Sequence, residues 1–184
     1  MEQREAIVRQ MLTAIGENPD RDGLLETPNR VARAWGEFFQ GYKADPVEVF
    51  KAFDPEEYGP GELVLLRNVE FYSMCEHHMV PFHGKAHIAY IPGEKVIGVS
   101  KLARLLDIFA KRLQIQERIG QQVTNALMQH LQPKGAACIL IAKHLCISSR
   151  GVQKQHSEMV TSSLTGCFLE EPSTRSELMQ LIQM

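Results

Sequence analysis

The stretch that decides the fold is KAHIAYIPGEKVIGV, residues 85–99, which runs directly into SKLARLLDIFAKRL, residues 100–113. In the first part, apolar and polar residues alternate on both sides of a Pro-Gly turn, which predicts two short strands. The second part has apolar residues at helical spacing behind a serine N-cap, which predicts a helix. The cap and the inward residues are Ser100, Leu102, Leu105, Leu106 and Phe109. Strands that lead into an amphipathic helix indicate a sheet with helices packed against it.

The flanking segments continue this mixture of strands and helices. Upstream, the β-rich run ELVLLRNVEFYSM, residues 62–74, predicts another strand. Downstream, the pattern predicts a helix, two strands and a final helix with a Thr174–Glu177 capping box. These segments are QERIGQQVTNALMQHL (116–131), GAACILIAKHLCI (135–147), VQKQHSEMVTSSLTGCF (152–168) and PSTRSELMQLIQ (172–183). The fold class that follows is α+β, with an antiparallel sheet covered on one face by helices.

The N-terminal part of the chain is helical in pattern. Ile7, Met11 and Ile15 recur at four-residue steps and predict a helix over residues 3–16. TPNRVARAWGEFFQGY predicts a second helix with Thr27 as its N-cap. A polar, turn-rich link, DPEEYGPGE, follows, and the sequence changes character after it. We therefore expect an N-terminal helical region over residues 1–60 and a second domain over residues 61–184.

Composition excludes several functional classes. A chain of 184 residues with 44% apolar residues suits a globular protein, and a net charge of −2 predicts no long-range attraction to nucleic acid or anionic membranes. No apolar run reaches the roughly 18 residues that a membrane span needs. The N-terminus lacks a signal-peptide core, so we expect a cytoplasmic protein. In that compartment, metal binding or free thiols are favoured over disulfides for Cys75, Cys138, Cys146 and Cys167.

The segment SMCEHHMVPFHG, residues 73–84, concentrates metal-binding residue types. Cys75 and His78 have the spacing of a zinc-binding pair. His144 and Cys146 are two residues apart at the end of a predicted strand, where their side chains would share one face. Cys75, His78 and Cys146 would form a Cys₂His set with an open fourth position, as in catalytic zinc sites. The alternative interpretation is a free thiol beside a surface histidine.

The remaining cysteines and histidines are interpreted structurally. Cys138 and Cys167 are expected to be small buried hydrophobic residues. His87 alternates within a predicted strand and is expected to be a hydrogen-bonded structural histidine. His130 and His156 are expected on a helix surface and a strand surface.

A second cluster of side chains has the chemistry of an anion site. Lys101 and Arg104 share a face in the first turn of the predicted helix, where cations are unfavourable unless an anion is bound. Arg150 follows Cys146 by four residues, and Glu117 is a carboxylate that could recognise a ligand. The alternative is that Lys101 and Arg104 form a solvated face and that Glu117 is an ordinary exposed glutamate.

Three segments, SMCEHHMVPFHG, GVSKLARLLDIFAKRLQIQER and HLCISSRGVQKQ, closely resemble the GTP cyclohydrolase I family when they are considered together. TPNRVARAW and MVTSSLTGCF also resemble that family, and the resemblance spans roughly residues 20–172. Two departures concern the substrate loop. His156 stands where the family usually has asparagine, and Ser149 stands where methionine is common, so details of substrate binding there are open.

The resemblance implies a tunnelling fold in which subunits join their sheets into a barrel. It further implies a homodecamer of two stacked pentamers with active sites at subunit contacts. The implied reaction converts GTP and water to 7,8-dihydroneopterin triphosphate and formate, the first step of tetrahydrofolate and pterin biosynthesis. Residues 61–184 would then be the catalytic domain, and no nucleic acid or membrane partner is expected.

The resemblance also assigns roles to individual residues. It implies that Zn²⁺ is bound by Cys75, His78 and Cys146, and that the catalytic residues are His77, His144 and Ser100. The implied substrate contacts are Glu117 and Gln116 at the guanine and Lys101, Arg104, Arg150 and Arg30 at the triphosphate. Two alternatives are a related tunnelling-fold nitrile reductase that acts on a deazaguanine and a non-catalytic zinc-stabilised binding module.

Overall fold

The computed structural model describes residues 1–50, 52–53 and 62–184. Contacts divide the chain into two compact units, Met1–Gln40 and Gly41–Met184. The predicted boundary at residues 60–61 and nearly all of the predicted link lie outside the described residues. Among the helices that the structure describes, none is both long and apolar enough to cross a bilayer.

The first unit contains two α-helices, α1 (Glu2–Ala14) and α2 (Thr27–Phe38), with a short 3₁₀ helix at Asp22–Leu24. Val8 and Ala32 are buried, and the Asn29 side-chain amide donates to the Glu5 carboxylate at 3.0 Å. Both predicted helices are confirmed, although α2 begins at Thr27 with Glu26 as its N-cap. The residues that predicted α1, Ile7, Met11 and Ile15, are 42%, 52% and 73% exposed in this chain.

The second unit is built on a five-stranded sheet with the order β5-β2-β3-β6-β7. All neighbours are antiparallel except β5, which pairs in parallel with the end of β2. A separate two-stranded pair joins β1 and β4. The strands are β1 (Ala52–Phe53), β2 (Val64–Cys75), β3 (Pro81–Ile91), β4 (Val96–Ile97), β5 (Leu113–Gln114), β6 (Gly135–His144) and β7 (Met159–Gly166).

Helices cover both faces of this sheet, so the prediction that they lie on one face is wrong. The helices are α3 (Val99–Ala110), α4 (Gln116–His130), α5 (Leu145–Ser148), α6 (Cys167–Glu170) and α7 (Pro172–Gln183). The larger core joins one face of β3 and β6 to α3 and α4. A smaller core on alternate residues of the same strands contains Ala89, Ala137 and Ile139 with Phe168 and Leu178. Strands β3 and β6 are therefore buried on both faces over residues 86–90 and 135–140, which explains the nearly continuous apolar run of β6.

Several predicted element ends are shifted. Helix α3 begins at Val99 with Gly98 as its N-cap, so Ser100 lies inside the first turn and does not cap it. Helix α7 begins at Pro172, and the Thr174 hydroxyl donates to the Glu171 carboxylate at 2.9 Å instead of forming the predicted capping box. Strand β7 begins at Met159, seven residues after the predicted start, and His156 lies in an exposed loop.

The direction of the chain determines which residues meet at each end of the sheet. Strands β2 and β6 finish, and β3 and β7 start, at the end that we call the Cys75 end. Helix α3 follows β3 and β4 at the opposite end and runs back, because β5 immediately after it pairs with Met74 and Cys75. Helix α4 then starts at the Cys75 end, where the Gln116 side chain contacts the backbone of β6 and β7.

Candidate metal centre and active site

Three pieces of backbone bring the predicted metal ligands together at the Cys75 end. Cys75 is the last residue of β2, His78 lies in the turn that follows, and Cys146 lies in the short helix α5. Two backbone hydrogen bonds hold the turn, from Cys75 N–H to Val80 O at 3.0 Å and from Met79 N–H to Cys75 O at 2.8 Å. The expectation that Cys146 continues the strand is wrong, because β6 ends at His144 and a helical turn carries Cys146.

The ligand atoms of Cys75, His78 and Cys146 fit a zinc ion. They all lie within 4.8 Å of one another, and Cys75 Sγ is 3.7 Å from His78 Nδ1. In tetrahedral zinc sites the usual bond lengths place a thiolate sulfur and an imidazole nitrogen about 3.6 Å apart. Two thiolates and one imidazole also select zinc over hard cations such as magnesium. Burial, followed by the nearby Cys75 thiol, raises the pKa of Cys146, and a bound cation would reverse that penalty on the thiolate.

Of the two predicted catalytic histidines, His77 lies beside Cys75, and His144 ends β6 two residues before Cys146. His77 is exposed, and its Nδ1 is 4.0 Å from Cys75 Sγ. His144 is partly buried and stacks on Phe82 with ring centroids 4.4 Å apart and planes 5° apart. Burial lowers the pKa of His144, while the Glu117 carboxylate acts in the opposite direction. Glu117 is therefore close enough to His144 to influence its charge.

An ion pair braces the turn between Cys75 and His78. The Arg118 guanidinium, in the first turns of α4, donates to the Glu76 carboxylate through Nη2 at 3.1 Å and through Nη1. This contact lowers the pKa of Glu76. The sequence pattern did not identify Arg118, because a partner that lies 42 residues away leaves no local signal.

A cavity of about 710 Å³ lies between α4 and the edge strand β7. Glu117 lines it together with the hydroxyl-bearing residues of β7 and the exposed face of α4. The other lining residues are Gly120, Gln121, Asn125, Thr161, Ser162, Ser163, Leu164, Thr165 and Leu169. Glu117 is the one predicted site residue among the described residues that line this cavity.

Within one chain, the structure does not bring all of the predicted cations to the Cys75 end of the sheet. Arg150 is exposed just after α5, and its charge acts on Cys146. Ser100 and Lys101 lie in the first turn of α3, at the end of the sheet opposite Cys75, whereas Arg104 lies near the middle of the helix and not in its first turn as predicted. With 12 residues, α3 is about 18 Å long, so Ser100 and Lys101 lie away from the metal ligands of their own chain. Arg30 is an exposed residue of α2 in the first unit.

The four cations share one property. Lys101, Arg104, Arg150 and Arg30 make no side-chain hydrogen bond or ion pair with any residue in the part of the chain that the structure describes. Their charges therefore remain available for an anion.

Comparison with known proteins identifies the family. The family model for GTP cyclohydrolase I matches residues 4–183. The chain belongs to the GTP cyclohydrolase I family. The GTP cyclohydrolase 1 of Leptospira biflexa serovar Patoc is 49% identical over 179 residues, with 97% of each chain covered. The GTP cyclohydrolase 1 of Carboxydothermus hydrogenoformans is 48% identical over 182 residues, which cover 98% of this chain and 94% of that one.

A solved structure was also found, and it is more distant than these GTP cyclohydrolase 1 relatives. The archaeosine synthase QueF-Like in the apo form has a TM-score of 0.48 and 15% identity, with 59% of this chain and 96% of that chain covered. Similarity at this level supports no conclusion about fold or activity. Membership of the GTP cyclohydrolase I family therefore rests on the sequence comparisons.

Proposed function

We propose that this member of the GTP cyclohydrolase I family hydrolyses GTP to 7,8-dihydroneopterin triphosphate and formate at the Cys75 end of its sheet. The observation that carries the proposal is the convergence of the ligand atoms of Cys75, His78 and Cys146, with His77 Nδ1 4.0 Å from Cys75 Sγ. The natural location for this first step of tetrahydrofolate and pterin biosynthesis is the cytoplasm, and no nucleic acid or membrane takes part.

The two thiolates and one imidazole would hold Zn²⁺ and leave one position open. When bound there, zinc supplies Lewis acidity and lowers the pKa of a coordinated water toward ~7. The Glu76–Arg118 ion pair holds the turn that carries His78, so the ligand geometry is set before the substrate arrives.

His144 is the residue that we assign to proton transfer at the guanine ring. Carbon 8 of a purine is a weak electrophile, and protonation of the adjacent N7 makes it more reactive. A partly buried imidazole whose pKa is tuned by burial and by Glu117 suits that role. Glu117 can accept hydrogen bonds from N1–H and the 2-amino group of guanine, since an ionised carboxylate is an acceptor only.

The later steps open and rearrange the ribose, and they need further proton carriers. His77 lies exposed beside Cys75, within reach of a bound ligand. Ser100 is the second carrier that we propose for the ribose. The triphosphate would be bound by Lys101, Arg104, Arg150 and Arg30 through charge-assisted hydrogen bonds.

A complete site would require a second copy of the chain, because α3 holds Ser100 and Lys101 at the end opposite Cys75. Two open sheet edges support such an assembly. Among the described strands, β7 is paired on one side only, and β2 over residues 64–73 is also paired on one side only. We propose that copies join these edges into a barrel, as in a tunnelling fold, and assemble as a decamer of two pentamers.

The function is tested by metal analysis of the purified protein together with a fluorescence assay for the neopterin product. We expect about one zinc per chain, with formate and the pterin product released from GTP. Protein that holds zinc and releases neither product would overturn the proposed reaction.

The shared site is tested separately by coexpressing two inactive variants. Cys75→Ser lacks a metal ligand, and the double variant Lys101→Ala/Arg104→Ala lacks two triphosphate contacts. If each site combines two copies, mixed assemblies regain about a quarter of the wild-type activity at low GTP, because random mixing leaves that share of sites intact. Mixed assemblies with no activity above the two parents would show that each chain builds its own site.

A further inference from the structure

Gln116 is a polar residue with its side chain almost fully inside the protein. It is 1% exposed at the start of α4, and its amide nitrogen Nε2 faces three oxygen atoms. Nε2 lies 3.0 Å from Leu140 O, 3.0 Å from Met159 O and 3.1 Å from Thr161 Oγ1. The side chain thus joins α4 to both β6 and β7.

These contacts determine which way the amide points. Backbone carbonyl oxygens only accept hydrogen bonds, so the atom that faces Leu140 O and Met159 O must be the NH₂ group. The reversed amide would place its own oxygen against two other acceptors in a buried position, which is strongly unfavourable. The carbonyl oxygen Oε1 is therefore fixed on the other side, where it lies 2.8 Å from His144 Nε2.

The direction of the Gln116–His144 hydrogen bond follows. Oε1 is an acceptor, so His144 Nε2 must carry the hydrogen and donate it. The other ring nitrogen, Nδ1, makes no hydrogen bond to any residue that the structure describes. We propose that Gln116 is a positioning residue that fixes His144 in the Nε2–H form and leaves Nδ1 to exchange a proton with the substrate.

Phe82 completes the restraint on the imidazole. It is fully buried, and its ring stacks on His144 with planes 5° apart. Strand register explains the contact, since Phe82 and His144 are paired residues of β3 and β6. Phe82 thus restrains the plane of the imidazole, and Gln116 restrains its orientation within that plane. A flipped ring would place a carbon, Cε1, opposite Oε1 and would lose the hydrogen bond.

The proton balance agrees with this geometry. A doubly protonated His144 would donate the Nδ1 proton to N7 of the guanine and keep the Nε2 proton on the Gln116 hydrogen bond. The ring is then neutral with hydrogen on Nε2, which is the form that Gln116 stabilises. No second proton shift within the ring is needed, and the reverse transfer to Nδ1 restores the starting state.

This inference rests on the proposed reaction for the role of His144, and it gives Gln116 a role different from direct guanine binding. A side chain that contacts GTP would change the KM for GTP when it is altered. A side chain that acts only through His144 should change kcat and leave the KM nearly unchanged.

The first test uses the unaltered zinc-loaded assembly labelled with ¹⁵N-histidine. Solid-state NMR at a pH where His144 is neutral distinguishes a protonated ring nitrogen from an unprotonated one, and His144→Ala identifies the signals. We expect hydrogen on Nε2 and none on Nδ1. Hydrogen on Nδ1 would overturn the inference, whether or not the protein releases formate from GTP.

The second test compares Gln116→Met with Gln129→Met, an exposed glutamine of the same helix that serves as the matched control. Gln116→Met should lower kcat about 10–100-fold, a loss typical of removing a group that orients a reacting side chain. The KM for GTP should stay within about threefold of wild type, and Gln129→Met should match wild type in both parameters. A raised KM with unchanged kcat would show that Gln116 binds the substrate directly.

Discussion

Each predicted metal ligand is held by a different local structure, namely a strand end, a turn and a short helix. The larger hydrophobic core packs β2, β3 and β6 against α3 and α4. Most of its residues are not among the three predicted ligands. A metal ion bound by these residues would therefore serve the chemistry more than the fold. Loss of one ligand should change zinc binding without preventing assembly.

We predict that Cys75→Ser, His78→Ala and Cys146→Ser each lose zinc and activity while the protein still assembles. The physical reason is that two remaining ligands cannot complete a tetrahedral site. Zinc content and turnover should be measured on purified assemblies, with Cys167→Ser as the control because that free, half-buried thiol lies outside the cluster. Full zinc and full turnover in any of the three variants would exclude that residue as a ligand.

We also predict different kinetic effects for the cations and the histidine. Lys101→Ala and Arg104→Ala should each raise the KM for GTP about ten- to a hundredfold, because a lost charge-assisted contact costs about 1.5–3 kcal/mol. His144→Ala should mainly lower kcat, by about 10²–10⁴-fold, because it removes a proton carrier. Steady-state kinetics on zinc-loaded variants would show this. If His144→Ala kept kcat within about threefold of wild type, His77 would be the next candidate.

Local residue patterns predicted part of this site and could not predict the rest. The spacing of Cys75 and His78 is a signal within four residues, so the sequence alone carries it. The role of Gln116 depends on two carbonyl groups 24 and 43 residues away, and its hydrogen-bonding pattern exists only in the folded sheet. His87 is buried in a strand as expected, but its Nδ1 has no hydrogen-bond partner among the described residues, so the prediction that it is satisfied is wrong.

At the scale of elements, β3 and β6 approach each other closely at Gly84. Gly84 of β3 lies opposite Ala142 of β6, and an added Cβ would meet the backbone of Ile141 and lie 2.6 Å from Ala142 Cα. Backbone atoms in paired strands cannot move aside cheaply. This position therefore requires glycine for its lack of a side chain.

We predict that Gly84→Ala lowers the free energy of unfolding by at least about 2 kcal/mol. Gly36→Ala is the control, because Gly36 lies within α2 and an added Cβ would have as its nearest neighbour the flexible end of Arg4, 3.7 Å away. That change should raise stability by about 0.5–1 kcal/mol, as alanine favours a helix. Denaturant unfolding of both variants provides the comparison, and equal stability of Gly84→Ala and wild type would contradict the predicted clash.

We predict a pH-dependent stability from His87 in β3. Burial, followed by the positive charges of Arg67 and Lys85, lowers the pKa of His87 below its usual value near 6.5. As the pH falls through about 6.5, the unfolded chain therefore binds a proton that the folded chain does not. The contribution of neutral His87 to the free energy of unfolding is fully present above that pH. Below it, the free energy of unfolding declines by up to about 1.4 kcal/mol per pH unit until the pKa of His87 in the folded chain is reached.

The measurement is urea unfolding of wild type and His87→Leu at pH 7.5 and pH 5.5. The substitution replaces the titrating imidazole with an apolar side chain of similar size in the same buried position. Stability should fall less in His87→Leu than in wild type between the two pH values. The same loss in both proteins would assign the pH dependence to other groups.

Element order was easier to predict than element ends or layer assignment. The alternation of strands and helical periodicity identified the long strands and helices of the sheet unit, because those patterns are set by burial, whereas the short elements β1, β5, α5 and α6 were not predicted. The start of α3 shifted because Gly98 has an extended backbone that caps the helix two residues before Ser100. The amphipathic segment of α7 could pack against either face of a sheet, and only the folded chain shows that it covers the second face.

At the scale of the whole molecule, one chain leaves two sheet edges and several apolar side chains open among its described residues. We predict that the protein sediments as a large ring, several times heavier than the 20.8 kDa chain. The physical reason is that unpaired strand edges favour pairing with another copy. Analytical ultracentrifugation under assay conditions tests this, and an active species at the mass of one chain would contradict both the ring and the shared site.

The direction of α3 has a consequence for inheritance. If each copy supplies metal ligands to one site and triphosphate contacts to another, a copy that has lost both groups of residues disables two sites. A cell with equal amounts of normal and doubly damaged chains would then retain about a quarter of its activity, where independent sites would retain about half. Such an allele would act as partially dominant, and alleles that have lost different groups of residues would complement each other.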